Sequence, residues 1–147
     1  MANSIKIKNV PEGFQSVITN GKHSILADEP LKSGGTDLGF SPVDLLLSGL
    51  GLCKVTTVRY IARKNNWQIG DVKAELSHET RRGENGLKTQ VKVKMLIEGD
   101  LTQEQKAELL KQADRCYVHR MIEGEWDIEH AVEAHSLELK KLETENV

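Results

Sequence analysis

The chain has 147 residues, enough for one domain with a substantial hydrophobic core, and its formal net charge is −2 at pH 7. This near balance of charge gives no electrostatic reason to expect binding to nucleic acid or to an anionic membrane. The N-terminus lacks the apolar core of a signal peptide and no apolar run reaches the length of a membrane span, so we expect a cytoplasmic protein.

The N-terminal part of the chain is expected to form short strands joined by turns. Three segments have strand-favouring patterns: 5–7, 14–19 and 23–27. Asn20-Gly21, between the last two segments, is a hairpin turn signal. Residues 28–41 contain glycines and a proline and are therefore expected to form a loop.

A long helix is predicted to begin at Ser41 and Pro42, because a serine can cap a helix and a proline fits its first position. The run 45–61 is apolar on almost every side, which is typical of a buried helix. Gly49 and Gly51 each cost a helix about 1 kcal/mol relative to alanine. We therefore expect another helix to pack closely against these glycines.

A β-hairpin is predicted in the middle of the chain. Apolar and polar residues alternate around 72–78 and again around 87–95. The polar and glycine-rich residues 81–86 between them indicate the connecting loop.

A second helix and a last strand are predicted towards the C-terminus. Thr102 and Gln105 form a capping box that starts a helix, which we expect to continue through Cys116 and to end at Gly124. The alternating pattern over 126–132 then predicts a strand.

This order of elements predicts an α+β fold in which antiparallel strands surround a few helices. We expect a single domain over 1–135 and a charged C-terminal tail over 136–147. One modest sheet could cover only one side of the apolar helix. We therefore infer an obligate homodimer in which a second subunit covers the other side.

The chain has two cysteines, Cys53 and Cys116, and each is predicted to lie within a helix. A permanent disulfide is disfavoured in the cytoplasm, so the pair indicates a transient redox role, a metal site or two small core residues. Zinc could in principle be bound by both cysteines with His119 and His23. The closely spaced ligand pairs of strong zinc motifs are missing, however, and we predict neither a metal nor a cofactor.

Two segments resemble the OsmC/Ohr family, the osmotically inducible protein C and organic hydroperoxide resistance proteins. The first resembles the family's first-cysteine segment and contains His23-Ser24, Asp28-Glu29-Pro30, Gly34-Gly35, Gly39-Phe40-Ser41-Pro42-Val43-Asp44-Leu45-Leu46-Leu47 and Leu50-Gly51-Leu52-Cys53. The second, Cys116-Tyr117-Val118-His119, resembles the second-cysteine segment, which in the family usually reads Cys-Pro-Val or Cys-Pro-Ile. Together they span about residues 20 to 130, and the Gly-Gly loop and the Cys-x-x-His spacing are most similar to the YhfA-like branch.

The resemblance implies a fold and a chemistry. The fold is an intertwined α+β homodimer with two long central helices and an active site at each subunit interface. The chemistry is thiol-dependent reduction of organic hydroperoxides. Cys53 attacks the hydroperoxide and becomes a sulfenic acid, Cys116 resolves it as a disulfide, and an external dithiol reduces that disulfide.

Two parts of the site in the well-studied branches have no direct counterpart here. Val43 stands where those branches have a glutamate, and Asp44, one position later, points about 100° away around the helix. Those branches also use an N-terminal arginine to hold the thiolate, but the first arginine of this chain is Arg59. The candidates for a thiolate-stabilising group are therefore Lys22, His23, Lys32 and His119.

These departures lead us to expect weaker activity than in the well-studied branches. They also leave an alternative open, a non-catalytic dimer that binds an apolar ligand at the subunit interface, with Val43 in place of the acid.

Overall fold

The computed structural model describes residues 4–11 and 13–134. The chain divides into two compact units, the first containing the described residues up to Pro42 and from Trp126 onward, the second containing Val43–Glu125. Two antiparallel sheets and three α-helices are present in the described part, which confirms the predicted α+β class. The single-domain boundary at 135 stays a prediction, and the predicted tail over 136–147 lies outside the described residues.

The first unit contains a three-stranded antiparallel sheet in the order β1-β2-β3. The strands are β1 (Lys6–Asn9), β2 (Ser16–Thr19) and β3 (Ser24–Ala27). Asn20 stabilises the turn between β2 and β3, since its side-chain oxygen accepts hydrogen bonds from the backbone N–H groups of Lys22 at 3.0 Å and His23 at 2.9 Å. The predicted strands and their Asn-Gly turn are confirmed.

The loop after β3 folds around a buried carboxylate. Asp28 is 2% exposed, and it accepts hydrogen bonds from the backbone of Glu29 at 2.7 Å, of Thr36 at 3.1 Å and of Leu38 at 3.2 Å, and from the Thr36 hydroxyl at 2.5 Å. A short 3₁₀ helix, Leu31–Ser33, interrupts the predicted loop. Gly35 passes so close to Glu29 that an added Cβ would lie 1.9 Å from its carbonyl oxygen, so only glycine fits there.

The second unit packs the long helix α1 against a hairpin and a shorter helix. Its elements are α1 (Pro42–Lys64, of which all but Pro42 belong to this unit), β4 (Val72–Gly83), β5 (Gly86–Ile97), α2 (Gln103–Ala113) and α3 (Tyr117–Glu123). The buried core draws on α1, β5 and α2 and consists of Val58, Ala62, Ile97, Leu109 and Ala113. The predicted hairpin is confirmed, and its strands run closer to the turn than the pattern indicated.

Helix α1 is buried on one face within its own chain. The buried positions recur every three or four residues: Leu50, Gly51, Lys54, Val58 and Ala62. The other side exposes large apolar residues, among them Leu46, Leu52 and Tyr60. The apolar residues around the helix therefore do not all find cover within one chain.

Within the described part of the chain, the close neighbour of Gly51 is a strand, and no helix packs closely against either glycine. A Cβ added to Gly51 would lie 2.9 Å from a terminal methyl of Leu76 in β4, whereas one added to Gly49 would meet nothing within 4 Å. Gly51 thus lets α1 approach the hairpin closely.

Helix α1 also corrects the expectation that no apolar run reaches the length of a membrane span. Its length and composition satisfy that criterion, alone among the helices of the described residues. One such helix is weak evidence for a membrane span, because the core helix of a soluble protein satisfies the same criterion.

The helix predicted from Thr102 to Gly124 is broken in two. The capping box is confirmed, since the Thr102 hydroxyl accepts from the Gln105 backbone N–H at 3.1 Å and the Gln105 side chain accepts from the Thr102 backbone N–H at 2.9 Å. The helix ends at Ala113, however, and Cys116 is extended, with φ −60° and ψ 154°, as the residue that caps α3. The Ala113 carbonyl accepts from the Cys116 N–H at 3.3 Å, which is a tightened turn and not a continuing α-helix.

The predicted strand over 126–132 is wrong for the single chain. Residues 125–134 form neither helix nor strand, and Trp126, Ile128 and Val132 are exposed. A strand needs a neighbour that pairs with its backbone groups. In the described residues, β1 pairs with β2, β2 with β3 and β4 with β5, and one bridge joins Ala27 to Phe40. None of these backbone pairings includes the segment 126–132.

Candidate functional site

The two cysteines lie together in the second unit. Cys53 is half-buried on α1, and its sulfur accepts a hydrogen bond from the backbone N–H of Val118, in the first turn of α3, at 3.5 Å. Cys116 lies directly before α3 and is 2% exposed. Both thiols are free. The break between α2 and α3, which the sequence did not indicate, thus places the second cysteine beside the first.

Burial raises the pKa of the Cys116 thiol. The side-chain hydrogen bond and the charge of Cys53 also raise the pKa, while the nearby backbone N–H of His119 and the positive charge of Lys54 lower it. The two thiols are therefore close enough to influence each other, and they differ in accessibility.

A buried lysine completes the cluster. Lys54 follows Cys53 on α1 and is 1% exposed. Its ammonium donates to the Ala113 carbonyl at 3.1 Å and to Asp114 Oδ1 at 3.0 Å, and it lies 3.0 Å from His119 Nδ1. Three partners match the three protons of an ammonium group, so the charge is buried with its hydrogen bonds satisfied.

The hydrogen bonds of His119 determine its tautomer. An ammonium group can only donate, so Nδ1 accepts from Lys54 and carries no proton. The proton is then on Nε2, which donates to Glu123 Oε1 at 3.0 Å. The imidazole therefore connects Lys54 to Glu123 at the end of α3.

The structure places the predicted cationic candidates in different parts of the chain. The His119 imidazole contacts Lys54 and Glu123, and its role towards a thiolate stays a prediction. Lys22 and His23 are exposed in the turn between β2 and β3, and Lys32 is exposed in the 3₁₀ helix. These three residues belong to the first unit, and their participation in the site also stays a prediction.

Lys54 was missed by the sequence analysis, although the sequence contains a signal for it. It is the one charged residue between Asp44 and Arg59. It also lies four positions from Leu50 and from Val58, which places it on the buried face of α1. A lone charge on the buried face of an apolar helix needs a partner, and such a residue is a candidate for function.

The other residues singled out from the sequence have separate surroundings. Val43 lies in the first turn of α1 and is partly exposed. Arg59 donates to the carbonyls of Ile69 at 3.3 Å and Gly70 at 2.6 Å, which anchors the connection after α1. Over 4–11 and 13–134, no three His, Cys, Asp or Glu side chains converge as a metal site would require.

The arrangement is suited to thiol redox chemistry. It combines an accessible thiol, a buried thiol next to it and a buried cation. An oxidised sulfur at Cys53 would have a second sulfur nearby that could react with it.

Comparison with known proteins gives a family match for the chain. Residues 34–131 match the family model described as OsmC-like protein. A comparison with curated protein sequences gave no significant match.

Solved structures share the fold. The OsmC-like protein of Mycoplasma pneumoniae is 20% identical with a TM-score of 0.69, over 84% of this chain and 89% of that chain. An organic hydroperoxide resistance protein of Legionella pneumophila is 21% identical with a TM-score of 0.65, over 84% and 90%. One from Elizabethkingia anophelis is 18% identical with a TM-score of 0.67, over 84% and 89%. At these identities the likeness shows the fold alone.

Proposed function

The chain belongs to the OsmC-like protein family, and from this premise we propose that it reduces organic hydroperoxides with the thiols of Cys53 and Cys116. The observation that carries the proposal is the placement of a half-buried and a buried thiol side by side. Relatives in the solved structures are named organic hydroperoxide resistance proteins, which supports the substrate class.

Exposure supports a division of roles in which Cys53 is peroxidatic and Cys116 is resolving. Cys53 is half-buried, so a hydroperoxide can reach its sulfur, whereas Cys116 is covered. Burial also raises the pKa of the Cys116 thiol. A covered, protonated thiol is a poor first nucleophile, because the thiolate is the reactive form.

The proposed reaction consumes one hydroperoxide and two thiols. The Cys53 thiolate attacks the terminal oxygen of the hydroperoxide, the O–O bond breaks, and the alkoxide takes up a proton and leaves as an alcohol. The Cys116 thiolate then attacks the sulfenic sulfur of Cys53, an S–S bond forms, and hydroxide takes up a proton and leaves as water. An external dithiol reduces this disulfide and becomes a disulfide itself.

We expect slower turnover than in relatives whose site has a glutamate where Val43 stands here. Val43 has no carboxylate with which to orient a cation or a substrate. The active form is proposed to be a cytoplasmic homodimer, and the apolar side of α1, exposed at Leu46, Leu52 and Tyr60, supports the dimer.

One equivalent of an alkyl hydroperoxide tests the proposal. It should remove both free thiols of the chain and lower its intact mass by two hydrogen atoms, and a dithiol should reverse both changes. Cys53→Ser should abolish turnover. Cys116→Ser should still react but stop at a sulfenic acid, which further hydroperoxide oxidises to the sulfinic acid.

The double variant Cys53→Ser/Cys116→Ser is the thiol-free control for background consumption. If Cys53→Ser consumed hydroperoxide as fast as the parent, the thiol-peroxidase proposal would be wrong. The non-catalytic dimer that binds an apolar ligand would then be the better account.

A further inference from the structure

We propose that Lys54 is the positioning residue of the thiol pair, which fastens the segment around Cys116 to α1 and provides the positive charge for the Cys116 thiolate. The proposal rests on the proposed function, because it assigns a step of that reaction to Lys54.

The hydrogen bonds of Lys54 all lead to the segment that carries Cys116. Its ammonium contacts the Ala113 carbonyl, the Asp114 carboxylate and the His119 imidazole at 3.0–3.1 Å. These groups flank Cys116 on both sides along the chain. The Ala113 carbonyl, moreover, is the one that accepts from the Cys116 backbone N–H at the break between α2 and α3. Lys54 therefore stabilises the conformation that presents Cys116 to Cys53.

Burial of this lysine needs a reason beyond packing. The neighbouring positions on the same face of α1 are apolar, and Leu50, Val58 and Ala62 show that an apolar side chain suits this face. Burying a charge is costly unless strong partners surround it, and an apolar replacement of similar volume is often neutral or stabilising. The Asp114 carboxylate is largely exposed, which weakens it as a partner through solvent screening. A thiolate that forms transiently at Cys116, whose backbone N–H shares the Ala113 carbonyl with the ammonium, would give the buried cation a role.

The resolving step is where this charge acts. Cys116 must be a thiolate to attack the sulfenic sulfur, and it leaves as a thiolate when a dithiol attacks the Cys53 sulfur of the disulfide. Burial opposes that ionisation by raising the pKa of Cys116, and the charge of Lys54 opposes the effect of burial. The direct hydrogen bond to the Cys53 sulfur comes instead from the Val118 backbone. Lys54 therefore favours disulfide formation more than the first attack on the hydroperoxide.

Several titratable or charged side chains around Cys116 in the described part of the chain are possible sources of a pH effect. They include Cys53 and Lys54 on α1, Asp114 and Arg115 in the turn, and Tyr117, His119, Arg120 and Glu123 on α3. Of these, Lys54 is the buried cation, and it is the one to replace.

Lys54→Met tests the proposal, with Lys54→Arg as the variant that keeps the charge. After one equivalent of an alkyl hydroperoxide, Cys53 sulfenic acid is trapped with a cyclic 1,3-diketone and disulfide formation is followed by mass. We expect Lys54→Met to accumulate sulfenic acid and to form the disulfide several-fold more slowly at neutral pH, since loss of the positive charge raises the pKa of Cys116 and lowers its thiolate fraction. The pH profile of disulfide formation should move to higher pH, and Lys54→Arg should restore most of the rate.

Lys73→Met is the matched control, because Lys73 is an exposed lysine on β4 whose ammonium lies 2.9 Å from Glu98 Oε1. It should form the disulfide at the parent rate. A folded Lys54→Met protein with the parent's rate and pH profile would overturn the proposal.

The His119 variants decide the question if Lys54→Met does not fold. Asn carries its side-chain amide near the position of His Nδ1 and Gln near that of Nε2, so His119→Asn keeps an acceptor for Lys54 and His119→Gln does not. The resolving step should slow more in His119→Gln than in His119→Asn. An equal rate in the two variants would contradict the role of Lys54.

A thiolate titration separates failure of this proposal from failure of the proposed function. In a Cys53→Ser background, the ultraviolet absorbance of the Cys116 thiolate is followed against pH with and without Lys54→Met. An upward shift of the midpoint supports the role of Lys54 even if hydroperoxide does not react with the parent. No shift in a parent that does react means that the Lys54 proposal alone is wrong.

Discussion

At the scale of single residues, the two cysteines are chemically unlike. Cys53 is half-buried, whereas Cys116 is covered and its pKa is raised by burial. The sequence alone predicts that the two thiols are similar and that each lies within a helix. The difference arises because Cys116 lies in the break between α2 and α3, close in sequence to Ala113 and Asp114, which bond to Lys54.

Alkylation of the native protein measures this difference. At neutral pH we expect an alkylating reagent to modify Cys53 at least about tenfold faster than Cys116, because Cys116 is covered and burial raises the pKa of its thiol. Peptide mapping by mass at short times gives the two rates. The unfolded chain, in which both thiols are accessible, is the control and should react at both sites at similar rates. Equal, slow labelling of both cysteines in the folded state would indicate two inert core residues.

At the scale of elements, buried polar side chains organise the irregular segments. Lys54 satisfies the carbonyl at the end of α2, and Asp28 accepts the backbone N–H groups of the loop that follows β3. In both places a side chain forms the hydrogen bonds that neighbouring backbone groups form within helices and sheets. The stability of the loop should therefore depend on the ionisation of Asp28.

The ionisation of Asp28 predicts the direction in which the free energy of unfolding changes with pH. The hydrogen bond from Thr36, followed by the backbone N–H bonds, lowers the pKa of Asp28 from its usual value of 3.8. A lowered folded-state pKa stabilises the protein above the unfolded-state value, and the stabilisation is lost as pH falls through the folded-state pKa. Asp28→Asn should therefore lower the free energy of unfolding at neutral pH, and the difference from the parent should shrink below about pH 4.

Urea unfolding at a series of pH values measures that difference. Asp37→Asn, which removes an exposed carboxylate from the same loop, is the matched control and should change the free energy of unfolding less than Asp28→Asn does. A difference between the parent and Asp28→Asn that stayed constant into strongly acidic solution would show that the charge of Asp28 does not stabilise the loop.

At the scale of the whole molecule, much apolar surface lies uncovered in one chain. On α1, Leu52 is 64% exposed, and in the C-terminal segment Ile128 is 77% exposed. The alternation over 126–132 is typical of a strand, yet no described strand of this chain pairs with it. Large exposed apolar surfaces of this kind mark interaction sites.

We expect the chain to sediment as a dimer at micromolar concentration, because a second copy can cover the apolar side of α1. Leu46→Glu should shift the equilibrium towards monomer and lower the apparent melting temperature, since it places a charge on that side. Lys88→Glu, at an exposed position on β5, is the control for a change of charge away from that side and should leave the dimer intact. A folded monomer of the parent at micromolar concentration would rule the dimer out.

The sequence by itself determined the features that depend on neighbouring residues. The Asn20-Gly21 turn, a hairpin with strands around 72–78 and 87–95, the helix start at Pro42 and the Thr102–Gln105 capping box all follow from local patterns, and the structure contains each of them. The two cysteine segments, read in order, also led to the correct family. Short-range hydrogen bonds and periodic burial determine such features, so they are visible in a window of a few residues.

The tertiary structure alone decided how the site is assembled. Lys54 bonds to Ala113, 59 residues further along the chain, and no local pattern contains that contact. The break between α2 and α3 involves the same carbonyl. In a continuing helix the Ala113 carbonyl would accept from the backbone four residues on, but here it accepts from the Cys116 N–H and from Lys54. The expected strand over 126–132 failed for the related reason that a strand needs a partner, and none of the described strands of this chain provides one.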